Sequence, residues 1–260
     1  MSRLRIHLAA AALLLALPLP GLAEADPQRI LAASDAVRNP GRAFTVQIAL
    51  AEFNQGRQVA ASTMITHSRI LEQGGQFASL VRFVTPARDA GKIMLRNGSD
   101  LWFYDPSTRA SVRISPQQRL IGQASNGDVV TVNFARDYRA SLAGQEEIQD
   151  GERNPRQAYK LELEPASDDA TYGRVELWVD ATSSQPIMGR FMADSGRLLK
   201  TVYYRRFQRQ LGAERPTEMV IIDGLNPQSV TLMRLTDYRA RDLPGTWFQR
   251  DALPNLQLEP

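Results

Sequence analysis

Residues 80–115 read LVRFVTPARDAGKIMLRNGSDLWFYDPSTRASVRIS. Their short apolar runs are spaced for strands and divided by turn signals, which places 77–84, 92–96, 101–104 and 110–114 in consecutive extended segments. Asn97-Gly98 stands between two of these runs and suits a tight hairpin turn with positive φ. Asp105-Pro106-Ser107 suits the next turn, because a short acidic side chain can bond the backbone two residues on. No helix-length segment separates these strands, so the pairing they predict is antiparallel.

Working outward, the same period of two recurs on both sides. Phe44, Val46, Ile48 and Leu50 alternate with Thr45, Gln47, Ala49 and Ala51, as in a half-buried strand. Another run covers 59–68, and the second half supplies 158–164, 174–179, 186–192, 198–207, 216–222 and 229–238, with Asp194-Ser195-Gly196 as a turn. Two pieces read as helical. Residues 26–38 place Ile30, Leu31, Ser34 and Val37 on one face before the Asn39-Pro40 stop, and 117–126 is a possible short helix carrying Leu120 and Ile121. The reading is a mainly β chain of α+β class, with residues 24–260 as one domain.

Several strands are apolar on both parities, above all Met219-Val220-Ile221-Ile222 and Leu232, Met233 and Leu235. A sheet with one wet face alternates more cleanly. Both faces of part of this sheet should therefore be covered, by helices or by an apolar ligand.

The first 23 residues read as a cleaved secretory signal. Arg3 and Arg5 precede the apolar run LAAAALLLALPL at 8–19, with Gly21 and Ala23 as small residues for cleavage. The formal charge of +3 then shrinks, because losing Arg3 and Arg5 leaves 29 basic against 28 acidic side chains. Such a balance argues against nucleic acid as a partner. The chain has no cysteine, which excludes disulfides, thiolate metal sites and a lipidated N-terminal cysteine.

Catalytic signals are missing. His67 is the single histidine outside the leader, so a multi-histidine metal site cannot form, and its polar surroundings suggest a surface structural role. No nucleophile elbow, phosphate loop or dinucleotide fingerprint occurs. The acid pairs Glu146-Glu147 and Asp168-Asp169 stand in polar, loop-like stretches and read as solvated. The sequence predicts no catalytic residue, no metal, no cofactor and no enzyme. Two features remain. The run Tyr203-Tyr204-Arg205-Arg206-Phe207-Gln208-Arg209 mixes aromatic and cationic groups, as anionic-headgroup sites do. Met64, Met94, Met188, Met192, Met219 and Met233 all lie in strand candidates, and flexible thioethers suit variable apolar ligands.

The opening stretch resembles the outer-membrane lipoprotein-sorting family, the LolA-like carriers. The resemblance rests on Arg82-Phe83 with Pro86, Gly91, the Gly98-x-Asp100-Leu101-Trp102-x-Tyr104-x-Pro106 motif, and Arg113-Ile114. It continues through Leu177-Trp178-Val179-Asp180, Pro186, Gly196-x-Leu198-Leu199-Lys200, and Arg215-Pro216-Thr217 with Met219. Where family members carry a Gly-Ser-Asp-Phe-Ser-Tyr-like stretch, this chain has Gly127-Asp128-Val129-Val130-Thr131-Val132, then Asn133-Phe134 and Asp137-Tyr138.

The resemblance implies an incomplete, strongly curved antiparallel β-barrel whose concave face is covered by helices. It implies a periplasmic carrier that binds the acyl chains of a lipoprotein or lipid in an apolar cavity and shuttles it between membranes. Membrane-bound donor and acceptor proteins, an inner-membrane transporter among them, would be its partners. The alternative is a lipid- or lipoprotein-sensing module that assists or regulates a periplasmic partner or export pump. The residues expected to line the acyl cavity are Phe83, Met94, Trp102, Tyr104, Ile121, Phe134, Met188 and Phe191.

Overall fold

The computed structural model describes residues 26–71, 75–166, 170–256 and 258; the expected leader and the Asp168-Asp169 pair lie outside the described residues. Asp26 caps α1 (Pro27–Arg38), accepting from the backbone N–H groups of Gln28 and Arg29, with Pro27 in the first turn where its missing N–H costs nothing. At the other end the Arg215 guanidinium donates to the carbonyls of Ala36 (2.9 Å) and Val37 (2.8 Å), satisfying orphan acceptors with a cation.

The strands follow as β1 (Phe44–Asn54), β2 (Arg57–Ile70), β3 (Phe77–Thr85), β4 (Ile93–Asn97), β5 (Asp100–Asp105) and β6 (Ala110–Arg113). A small hairpin, β7 (Arg119–Ile121) and β8 (Ala124–Ser125), and the single turn α2 (Phe134–Asp137) come next. Then follow β9 (Tyr138–Gln149), β10 (Pro155–Pro165), β11 (Arg174–Asp180), β12 (Pro186–Met192), β13 (Leu198–Gln210), β14 (Ala213–Asp223) and β15 (Ser229–Ala240). Two 3₁₀ segments, Gly245–Phe248 and Arg250–Asn255, close the described chain.

Thirteen strands form one antiparallel sheet in the order β6-β5-β4-β3-β2-β1-β15-β14-β13-β12-β11-β10-β9. Every neighbour but β1–β15 is also a neighbour in sequence, so hairpins build two wings and one long-range pairing joins them. β6 and β9 are the edges, so the sheet is an incomplete barrel. Register shifts at Thr45/Gln47, Glu52/Phe53 and Lys160/Leu161 add local bends of the kind that curl a sheet. The expected turns are present: Gly98 takes φ +63 between β4 and β5, and Asp105 accepts from Ser107 N–H (2.9 Å) before β6.

Alternation separates two apolar layers. Phe44, Val46, Ile48 and Leu50 join Met64, Val81, Phe83, Met94, Val202, Tyr204, Ile221 and Met233 in the inner core. Ala78, Leu80, Ile93, Leu95 and Tyr104 point to the outer face, where Leu243, Phe248 and Leu253 of the C-terminal segment cover them. The outer face of β3–β5 is thus sealed by the chain itself.

Two expectations are corrected. Residues 117–126 are not a helix but the β7–β8 hairpin, turned at Gly122 with φ +53. A side chain there would place its Cβ 2.3 Å from Thr231 Oγ1, so the close approach needs glycine. The expected helical cover of the concave face is formed by α1, α2 and the 3₁₀ turn Asn126–Asp128. Finally, His67 is buried, not at the surface: Thr45 Oγ1 is 3.1 Å from its Nδ1 and Trp247 meets its ring edge-on at 5.8 Å. Burial, with Arg241 and Arg82 nearby, pushes its pKa down to about 4. The misreading arose because Thr66, Ser68 and Arg69 made the strand look solvated, whereas the C-terminal segment folds over it.

Candidate functional site

The inner face and its cover enclose a cavity of about 110 Å³ that opens to solvent. Its sheet wall comes from alternate positions of four neighbouring strands: Val46 and Ile48, Val202 and Tyr204, Met219 and Ile221, Met233 and Leu235. Val129, Val130, Phe134 and Tyr138 roof it, and Tyr172 and Phe191 close one end. The lining is mostly apolar, with a few polar groups at the margins, as in pockets for small apolar ligands.

Polar bonds hold the cover in place. Thr66 Oγ1 donates to Val129 O (3.1 Å), Ser68 Oγ meets Thr131 Oγ1 (2.7 Å), and Thr131 N donates to Ser79 Oγ (3.1 Å). The hydroxyls of β2 and β3 therefore replace the hydrogen bonds that an irregular segment would otherwise lack. The β7–β8 turn docks on β15, where Gln123 N donates to Thr231 Oγ1 (2.9 Å). α1 is fixed to α2 and β9 through Gln28, whose amide donates to Ala135 O (2.8 Å) and accepts from Ala140 N (2.9 Å).

Two charged clusters flank the cavity. At one end Arg38 pairs with Asp35 and lies 3.9 Å from the centre of the Phe134 ring. Asp35 Oδ2 also accepts from Ala135 N (2.7 Å), so one carboxylate links α1, its arginine and the start of α2. At the other end Lys200, 3% exposed, pairs with Asp128. Asp128 also accepts from Tyr172 OH (2.7 Å) and Ser125 N (2.7 Å), while Lys200 Nζ sits 4.9 Å from the Tyr172 ring centre. This pair ties the cover directly to β13. Burial lowers the Lys200 pKa against the opposing pull of Asp128, and burial followed by the Asp128 charge raises that of Tyr172. Burial pushes Tyr204 up to about 12, opposed by Arg38. The two carboxylates on the cavity wall, Asp128 and Asp137, each sit in an ion pair, with Lys200 and Arg96. Among the described residues no group of three or more histidines and carboxylates is arranged to hold a metal ion.

The expected cavity residues divide by face. Phe134 and Phe191 line the cavity together, their ring centres 6.3 Å apart. Phe83 and Met94 belong to the inner core but stand away from the cavity wall, and Ile121 packs against that core from the cover. Trp102 and Tyr104 occupy the opposite, outer layer under the C-terminal segment, with the Arg250 guanidinium 4.2 Å from the Trp102 ring centre. Met188 is also elsewhere, packed with Trp178 and Ile187. The parity assumed for β5 was inverted. Glu146 and Glu147 lie on the edge strand β9, not in a loop, where Glu146 accepts from the Trp178 indole (2.7 Å).

The sequence reading missed Arg38, Asp128, Tyr172, Tyr204 and the Met219/Ile221 and Met233/Leu235 pairs as wall residues. The apolar pairs left a signal in their two-sided strands. Asp128 and Tyr172 left none, since they meet each other and Lys200 from distant segments, while Arg38 pairs with Asp35 one turn away on α1.

A LolA superfamily protein from Nitrosomonas europaea shares this architecture at a TM-score of 0.78 and 34% identity, over 88% of this chain and 99% of that one. The chain belongs to the LolA superfamily. A domain described as an outer membrane lipoprotein-sorting protein, from Vibrio parahaemolyticus, matches with a TM-score of 0.71 and 19% identity, over 88% of this chain and 98% of its own. A DUF1329 family protein from Desulfovibrio piger gives a TM-score of 0.73 at 22% identity, over 87% and 97%. These two establish the shared fold. A family model described only as an uncharacterized protein matches residues 75–255. No curated protein matches the chain. In LolA superfamily terms, the cavity lies between the inner face of the open barrel and the 126–138 cover.

Proposed function

We propose that this LolA superfamily member is a periplasmic carrier that takes the acyl chains of a lipoprotein or lipid into the cavity and passes them between membrane-bound donor and acceptor proteins, without a cofactor. The supporting observation is the apolar space between the inner face of β1, β13, β14 and β15 and its cover. At about 110 Å³ the cavity is smaller than the roughly 300–1,000 Å³ of drug-sized ligand sites, so a long acyl chain needs the cover to move, but its lining suits hydrocarbon better than a polar substrate. Moving about twelve methylenes out of water gains on the order of 10 kcal/mol, but moving them from a bilayer gains little. Such a protein therefore works by shielding, and loading depends on a partner at the membrane. The thioethers of Met219 and Met233 add adaptability to the wall.

Native mass spectrometry of gently extracted protein, with lipid analysis of the released ligand, tests the reading. An acyl-bearing molecule is expected to co-purify, and a fluorescent fatty acid to displace it. Met219→Trp, which fills the cavity from a half-buried position, should abolish both signals while leaving cooperative unfolding intact. Ligand-free protein that also fails to take up the fluorescent acid would overturn the proposal.

A further inference from the structure

The second parity of β13, β14 and β15 has no role in the cavity. Met219, Ile221, Met233 and Leu235 face inward, so Val220, Ile222, Leu232 and Tyr203 face outward. Register aligns Tyr203, Val220 and Leu232 side by side, with Ile222 opposite Val230 in a row beside them. These side chains stay half-buried, outside every apolar core cluster, and the C-terminal cover does not reach them. They form an apolar stripe on the outside of the barrel.

Arginines border the stripe. Register brings Glu218 between Arg205 and Arg234, and its carboxylate accepts from Arg205 Nε (2.6 Å) and Arg234 Nε (2.8 Å) and is ion-paired with Arg206, whose Nε is 3.2 Å away. Arg206 takes φ +54, which lets two consecutive arginines reach one carboxylate. Within this cluster the accessible charge is positive, with Arg206 and Arg234 61% and 58% exposed and Glu218 1% exposed, while the exposed carboxylate of Glu152 lies in the neighbouring 150–154 turn. Turn 150–154 borders the patch, where Arg205 Nη1 donates to Gly151 O (3.5 Å). The adjacent Asp150 carboxylate is occupied by Arg156.

We propose that this outer face of β13–β15 docks the protein on an anionic phospholipid bilayer. Guanidinium forks match phosphate geometry, tyrosine suits the headgroup level, and the aliphatic stripe gains by leaving water. The stripe lies on the outer side of a curved sheet. A fluid bilayer can conform to that shape, whereas a protein partner would need a complementary groove. Fixing the guanidiniums on a buried carboxylate leaves their outward N–H groups available for phosphate. The proposal is independent of what fills the cavity.

Flotation of the full chain with phosphatidylglycerol-containing vesicles, against pure phosphatidylcholine, tests it. Binding is expected only to the anionic vesicles and should weaken with salt. An arginine at an anionic surface contributes about fivefold in partitioning, so Arg206→Gln with Arg234→Gln should weaken binding about 25-fold. Val220→Thr with Leu232→Thr keeps every charge and should also weaken binding, which preserves the test if the arginine variant folds poorly. Both variants should still take up the fluorescent fatty acid, so loss of docking is distinguished from failure of the carrier reading. Equal binding to both vesicle types, no binding to either, or binding unchanged in both variants would overturn the proposal. So would sedimentation showing a dimer that the threonine pair dissolves, which would assign the face to a second copy.

Discussion

The two wings of the barrel treat their outer faces differently. On the β3–β5 side, Leu80, Leu95 and Tyr104 are sealed by Phe248, Leu253 and Leu243. On the β13–β15 side, Tyr203, Val220 and Leu232 stay half-exposed and are bordered by arginine. Both wings have strands that are apolar on both parities, so the local pattern is the same. What differs is whether a remote segment returns to cover them. The sealed wing is a three-layer structure whose outer layer belongs to its stability. On the open wing the same kind of residue is available for contact.

The sharpest way to break this comparison is to cut the seal. Phe248→Ala removes a ring that is 2% exposed and should cost about 3–5 kcal/mol in denaturant unfolding, with Trp247 and Trp102 fluorescence reporting loss of the cover. A loss below about 1 kcal/mol would mean that the segment is not an integral layer.

Acid should act on the sealed wing next. His67 has its folded pKa lowered to about 4 from 6.5, so the unfolded state binds the extra proton first. Stability is then full above pH 6.5 and falls as pH drops from 6.5 towards 4, by on the order of 3 kcal/mol. His67→Gln should flatten that part of the pH profile of urea unfolding. An unchanged profile would place the acid sensitivity elsewhere.

Two substitutions probe the open wing, with smaller effects. Glu218→Gln keeps the shape but leaves Arg205, Arg206 and Arg234 without their shared anion. Solvent reaches those guanidiniums, so the cost should be about 1–2 kcal/mol, well below that of a fully buried pair. Burial works against the Glu218 charge, but the bonds from Arg234 and Arg205 prevail and lower its pKa. Its contribution is present above the ordinary carboxylate pKa and is lost as pH falls through the lowered one. Glu218→Gln should therefore lose its penalty at low pH. Leu232→Thr, half-exposed, should cost under about 1 kcal/mol, a clear contrast with Phe248→Ala. If the two proved equal, the open wing would be as well covered as the sealed one.

Much of the fold was legible because the strands advertise themselves. The alternation through Phe44, Val46, Ile48 and Leu50 gives β1, and Gly98 gives the β4–β5 turn. β9 was overlooked because an edge strand with Gly144, Glu146 and Glu147 has little apolar periodicity. Residues 117–126 looked helical because Leu120 and Ile121 sit among polar residues, whereas Gly122 was the informative one. Phe134 and Phe191 were legible as a large apolar lining, but the partnership of Asp128 with Lys200 joins residues far apart in sequence and has no local signature.

The sequence by itself determined most of the strands, several of their turns and the presence of two apolar parities, because a period of two is a property of neighbouring residues. It also gave a near-neutral charge after the expected leader and a chain without thiol chemistry. Tertiary structure decided which parity faces the cavity, that Trp102 and Tyr104 lie outside it, and that one outer face is sealed while the other stays open. The reason is that a sheet face acquires its meaning from what packs on it. Here those layers, residues 126–138 inside and 245–255 outside, arrive from far along the chain.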